Sequence, residues 1–199
     1  MNDGACRVKT GRLIFLGWMA MASALAAPQA VQLCASCHGA DGNSASPRFP
    51  RLAGQQAAFM EQQLELFRER KRDDKGAHQA ALGKLDAAAV KGLAAYFAAQ
   101  QPAANPAAGA DAKLLAAGRK LFMEGNLAVG TPPCFSCHGD RGEGNATAPR
   151  LAGQHSAYLL SQLQVFDVSQ RPAAAEMQEI VKTMSADDIK ALVAYIPGM

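Results

Sequence analysis

The chain has 199 residues, with 20 Lys and Arg against 17 Asp and Glu, a formal net charge of +3 and five cysteines. That balance is too near neutral to mark a nucleic-acid surface, and the length suits two small domains. The basic excess is also unevenly placed, because Arg7, Lys9 and Arg12 all precede the apolar run from Leu13 to Ala26.

This first segment has the parts of a secretory signal. A basic stretch leads into an apolar core, and Ala24-Leu25-Ala26 supplies an A-x-A cleavage site before Ala27 and Pro28. The apolar run falls short of the ~20 residues of a membrane span, so a cleavable signal over 1–26 is expected in preference to a retained anchor. Its removal takes three basic residues and one acidic one, leaving 17 against 16. Cys6 and the only tryptophan, Trp18, leave with it. The mature chain is then expected in the periplasm.

The next feature is Cys34-Ala-Ser-Cys37-His38, repeated as Cys134-Phe-Ser-Cys137-His138. Two thiols at this spacing can each add across one vinyl group of a single haem, and the adjacent histidine is then held under the iron. A redox disulfide has no need of the histidine, and the βαβ pattern that accompanies thioredoxin-like motifs is missing. A zinc site of Cys34, Cys37, Cys134 and Cys137 would leave His38 and His138 unexplained. The motifs therefore predict two covalently attached haem c groups, with His38 and His138 as iron ligands.

Onward from the first motif the chain is a repeat. Residues 50–97 match 149–196 at a constant offset of 99 without a gap, with 17 of 48 positions identical. The strongest block is Pro50-Arg51-Leu52-Ala53-Gly54-Gln55 against Pro149-Arg150-Leu151-Ala152-Gly153-Gln154. The haem motifs are offset by 100, so the first haem loop is one residue longer. A helix follows, with Phe59, Leu64 and Phe67 on one face and Tyr158, Leu163 and Phe166 as counterparts. The last helix of each repeat starts at Asp86 or Ser185, the latter with Asp188 placed for a capping box. Leu93 and Tyr96, or Leu192 and Tyr195, are then expected to face inward. Residues 100–110, rich in Pro, Ala and Gln, are expected to link the repeats. No stretch alternates at period two, so no sheet is predicted. The resulting organisation is a signal at 1–26, a first domain at 27–99, a linker at 100–110 and a second domain at 111–199.

Cys-x-x-Cys-His-Gly, Pro-x-Leu-Ala-Gly-Gln, an aromatic helix and a Leu/Tyr-rich terminal helix, in that order, resemble the class I cytochromes c. Their duplication resembles the two-haem cytochrome c4 family over essentially the whole mature chain. The resemblance implies an all-α protein of two tandem class I domains, each wrapped around one haem, that is periplasmic and transfers electrons. It also implies that the carbonyls of Pro50 and Pro149 accept from the proximal histidines. Gly118 and Phe122 correspond to the family's first-helix Gly/aromatic pair, packing on Tyr195. Only Ala27–Leu33 precede Cys34 after cleavage, too little for the equivalent helix in the first repeat. His155 is expected at the surface.

By the same resemblance, Met177 stands where the second haem takes its sixth ligand, while Met184 aligns with Leu85 and is expected in the core. The first repeat has His78 at that position and no methionine nearby; Met60 aligns with Leu159 on an apolar face. The expected ligand sets are His38/His78 for haem 1 and His138/Met177 for haem 2, which would give haem 1 the lower potential. Function then follows as an electron carrier and not an enzyme. Its donor would be a quinol-oxidising complex or a periplasmic dehydrogenase, and its acceptor a terminal oxidase or reductase. There is no nucleic-acid partner, and a peripheral association with the membrane is compatible with this role. The competing expectation is a haem enzyme or its cytochrome subunit, in sulfur-compound oxidation or peroxidase-like chemistry, with His78 swung away and haem 1 open.

Overall fold

The computed structural model describes residues 1, 30–105, 111–167 and 171–199. The expected signal segment, apart from Met1, and residues 106–110 of the expected linker lie outside them, as do Cys6, Trp18 and the cleavage site. Among the described residues the regular elements are helices, with one isolated antiparallel bridge between Asn126 and Thr131.

The first repeat contains α1 (Val31–His38), α2 (Ala57–Arg68), the short α3 (Gln79–Leu82) and α4 (Ala87–Ala98). Helix α4 starts where Asp86 accepts the Ala89 N–H at 2.8 Å, which satisfies one of the unpaired amides of its first turn. Val31, Met60, Leu93, Ala94 and Phe97 are buried together between α1, α2 and α4. Each large apolar side chain of this kind contributes about 1.5–3 kcal/mol by leaving water.

The second repeat contains α5 (Ala112–Glu124), α6 (Phe135–His138), α7 (Ser156–Asp167), a 3-10 turn (Pro172–Ala174), α8 (Ala175–Lys182), α9 (Ala186–Tyr195) and a final 3-10 turn (Ile196–Gly198). Ser185 and Asp188 form the expected capping box at the start of α9. The core joins Leu121 and Phe122 of α5, Leu159 of α7, and Leu192 and Ile196. Helices α5 and α9 approach so closely at Gly118 that a Cβ there would collide with the Ala191 carbonyl and lie 2.6 Å from Tyr195 Cβ. Phe122 then meets Tyr195 at a ring separation of 6.0 Å.

One face differs from expectation. On α2 the buried residues are Met60, Gln63 and Phe67, while Phe59 and Leu64 are only half-buried. The reason is the neighbouring repeat, towards which Gln63 points. Arg72 donates to Gln63 Oε1 at 2.7 Å, Gln162 Oε1 at 2.9 Å and Tyr158 Oη at 3.2 Å. Arg171 mirrors it, donating to Gln162 at 3.0 Å and Gln63 at 2.9 Å. Each guanidinium also lies 4.5 Å from a ring centroid, Arg72 over Phe67 and Arg171 over Phe166. Apart from the Arg72–Tyr158 bond, these contacts recur at an offset of 99 positions, so the repeats face one another across an approximate two-fold axis.

The expected linker is fastened at its start. Ala103 accepts from Arg51 Nη1 at 2.8 Å and donates its N–H to Asn43 Oδ1 at 2.7 Å. Asn105 Nδ2 reaches the carbonyls of Gly153 and Gln154, both at 3.2 Å. At Gly54, with φ of +65°, an added Cβ would run into Pro102. These contacts tie the start of the linker to both repeats.

Candidate haem sites

Each Cys-x-x-Cys-His motif lies on helical turns that present the cysteines and bury the histidine. His38 closes α1 and His138 closes α6, both 7% exposed. Cys34, Cys37, Cys134 and Cys137 form no disulfide. No cluster of three or more metal-ligating His, Cys, Asp or Glu side chains occurs among the described residues, so they do not assemble a zinc site. Burial holds the Cys34 thiol above its ordinary range and pushes Cys134 up to about 11.

The proximal histidines are oriented identically. His38 Nδ1–H donates to the Pro50 carbonyl at 2.9 Å, and His138 Nδ1–H donates to the Pro149 carbonyl at 2.9 Å. This fixes the tautomer and leaves Nε2 as the nitrogen available to a metal on each ring. Burial lowers the pKa of both rings, only partly offset by the accepting carbonyls, so they favour the neutral form a metal requires. Glu176 acts on His138 in the opposite sense, which brings the start of α8 near the second site.

Opposite His38 stands His78, at the start of α3. The two rings are 6.2 Å apart between centroids and within 19° of parallel. Two metal–imidazole bonds of about 2 Å, with half a ring at each end, span roughly that distance. His78 Nδ1–H donates to Asp74 Oδ2 at 2.7 Å, and its backbone N–H reaches the same oxygen at 2.8 Å. Although burial opposes it, these bonds and one from Gly76 hold the Asp74 carboxyl below its usual range. Phe67 stacks on a face of the His78 ring, with centroids 4.3 Å apart. One face of the ring and one nitrogen are thus engaged, and its Nε2 has no hydrogen-bond partner among the described residues.

Met177 lies half-buried on α8, outside the apolar clusters. Met184 packs against the second core and Met60 is buried in the first, whereas Met177 belongs to neither cluster.

Two further arginines fit the acidic groups of a haem. Arg51 and Arg150 immediately follow the accepting prolines, and the Nε of each is buried without a hydrogen-bond partner. A buried donor left in this state costs about 1–3 kcal/mol, and a haem propionate is an acceptor of the right charge. The residues present therefore suit the group.

The expectation for His155 is overturned. It is 9% exposed and crosses to the first repeat, where its Nε2 lies 2.9 Å from the Ser44 carbonyl and 3.1 Å from Ser44 Oγ. Its polar type suggested the surface, and the sequence of one repeat alone holds no sign of what the other supplies. The same blindness hid Gln55, Gln154 and the Arg72/Arg171 pair.

A family model described as Cytochrome c matches residues 25–101 and 115–199. Cytochrome c4 of Pseudomonas aeruginosa is 38% identical over 196 residues, covering 94% of this chain and 96% of that protein. A thiosulfate dehydrogenase electron acceptor of Thiomonas intermedia is 34% identical over 154 residues, covering 76% of this chain and 70% of that protein. The crystal structure of reduced recombinant cytochrome c4 from Pseudomonas stutzeri superposes with a TM-score of 0.77 at 33% identity, covering 87% of this chain and 98% of that one. With two haem-attachment motifs on two tandem helical domains, the chain belongs to the cytochrome c4 family and is an electron-transfer cytochrome carrying two covalently bound haem c groups.

Proposed function

We propose that the chain is a periplasmic electron carrier with two unequal sites. His38 and His78 hold haem 1, and His138 and Met177 hold haem 2. The domains run over 27–99 and 111–199, joined by 100–110, after removal of a signal at 1–26. The observation that carries this reading is the facing pair His38 and His78, 6.2 Å apart, each with Nδ1 engaged elsewhere.

The haems supply a one-electron couple at each site. Imidazole donates more strongly to ferric iron than thioether does, and Asp74 strengthens the His78 donor further. The first site therefore has the lower potential, and electrons enter there and leave from the second. Relatives named as electron acceptors of thiosulfate dehydrogenase favour a periplasmic dehydrogenase acting on a sulfur compound as donor. A quinol-oxidising complex is the other donor class, and a terminal oxidase or reductase fits as acceptor. Contacts with such partners are small and transient. No helix among the described residues is long and apolar enough to cross a membrane.

Carbon monoxide added to the reduced native protein tests the reading. A carrier with both irons six-coordinate binds none. Uptake at haem 1 would favour the enzyme reading, in which His78 leaves the iron.

A further inference from the structure

Two of the hydrogen-bond pairs between the repeats are crossed, and they end on Arg51 and Arg150, the residues that follow the prolines accepting from His38 and His138. Gln154 of the second repeat accepts the Arg51 N–H on Oε1 at 2.9 Å and donates Nε2 to the Arg51 carbonyl at 3.1 Å. Gln55 of the first repeat accepts the Arg150 N–H at 2.7 Å and donates to the Arg150 carbonyl at 3.0 Å. Both glutamines are buried, at 5% and 7% exposure.

The Arg51 N–H and the Pro50 C=O belong to one planar peptide group. A single amide therefore accepts from His38 Nδ1–H on its oxygen and donates from its nitrogen to Gln154. An acceptor on the N–H side polarises the amide and makes its oxygen a better acceptor, the cooperativity of hydrogen-bond chains. The second repeat has the same chain from His138 through the Pro149–Arg150 amide to Gln55. Next to Gln154, His155 reaches Ser44, whose Oγ–H donates to the Phe49 carbonyl at 2.8 Å. The segment Phe49–Pro50–Arg51 is thus tied to the second repeat from both ends.

We propose that Gln154 and Gln55 are positioning residues for the haem of the opposite repeat. Each sets, through one peptide group, how strongly the other repeat's proximal histidine is bound to its carbonyl, and so how basic that iron ligand is. The domain interface is then a part of each redox site.

The test is a reciprocal pair of variants in the holoprotein, Gln154→Met and Gln55→Met, read by potentiometry with the haems resolved spectroscopically. Losing the acceptor weakens the His–carbonyl bond and makes imidazole a poorer donor to ferric iron. Gln154→Met is expected to favour the reduced form of haem 1 about threefold, roughly 30 mV for a one-electron couple, and to leave haem 2 in place. Gln55→Met does the converse. Gln154→Glu keeps an acceptor for the Arg51 N–H and is expected to return haem 1 towards its native value or below. In the reduced protein, the Nδ1–H proton resonance of the opposite repeat's histidine moves upfield in each Met variant. Shifts of both couples together, a shift in the same repeat's haem, or no shift would overturn the proposal. It rests on unequal ligation only for telling the couples apart. Were both haems His/Met, the two variants would still have to move different couples.

Discussion

The two repeats share a scaffold and differ at residues 78 and 177, the position proposed for each iron's sixth ligand. On the proximal side they are interchangeable, each with a histidine on a proline carbonyl at 2.9 Å and an arginine next to it. At the repeat-related position where we propose the sixth ligand, the first has His78 braced by Asp74 and Phe67, and the second has Met177 on a helix. The parts that attach and orient a haem are thus alike in the two repeats, and the proposed sixth ligands, which would set the potentials, are not. Under that ligation the two couples are unequal, and electron flow has a direction.

The largest effect is expected from removing that distal difference. His78→Met should raise the haem 1 potential by on the order of 0.1 V, within the range that axial ligands command, and bring the two couples together in a potentiometric titration. Met177→Ala attacks the other side. Haem 2 should lose its sixth ligand and bind carbon monoxide when reduced, while haem 1 stays closed.

A smaller change sharpens the comparison without exchanging a ligand. In Asp74→Asn the His78 ring keeps a polar partner but loses a carboxylate, so it becomes a weaker donor and ferric haem 1 is less favoured. The haem 1 potential should rise by tens of mV, with about 59 mV corresponding to a tenfold change, and haem 2 should not respond.

Smallest in its effect on potentials is a change confined to the α5–α9 crossing. Gly118→Val places a side chain against the Ala191 carbonyl and Tyr195. It should destabilise the second repeat by about 1–3 kcal/mol, seen as an earlier thermal transition of that domain, and leave the haem 1 couple where it is.

Much of this was legible in the sequence because it is local. Cys-x-x-Cys-His and the caps at Asp86 and Ser185 each depend on residues whose chemistry shows in the chain itself, and the packing of Gly118 on Tyr195 followed from the family resemblance. His78 could be singled out because an ungapped repeat gives every position a partner. What could not be read was the meeting of the repeats. Gln63 on an otherwise apolar face of α2 and His155 at a helix start carry no mark of being buried, since their partners lie about a hundred residues away. The signal was nevertheless present in a different form. Arg51, Gln55, Gln63, Phe67 and Arg72 are all identical to their counterparts 99 residues on, and all lie at or beside the two-fold interface. In a duplicated chain folded on itself, a residue and its copy take part in the same contact from opposite sides, so identity between repeats points to where they touch.

The central claim is that the two irons have different sixth ligands. Low-temperature electron paramagnetic resonance, paired with near-infrared magnetic circular dichroism on the oxidised protein, tests it most directly, because together they separate His/His from His/Met ligation. The account predicts one low-spin signature of each kind in equal amount, with the His/His signature lost in His78→Met. Two His/Met signatures, or a high-spin haem 1 in the native protein, would contradict it.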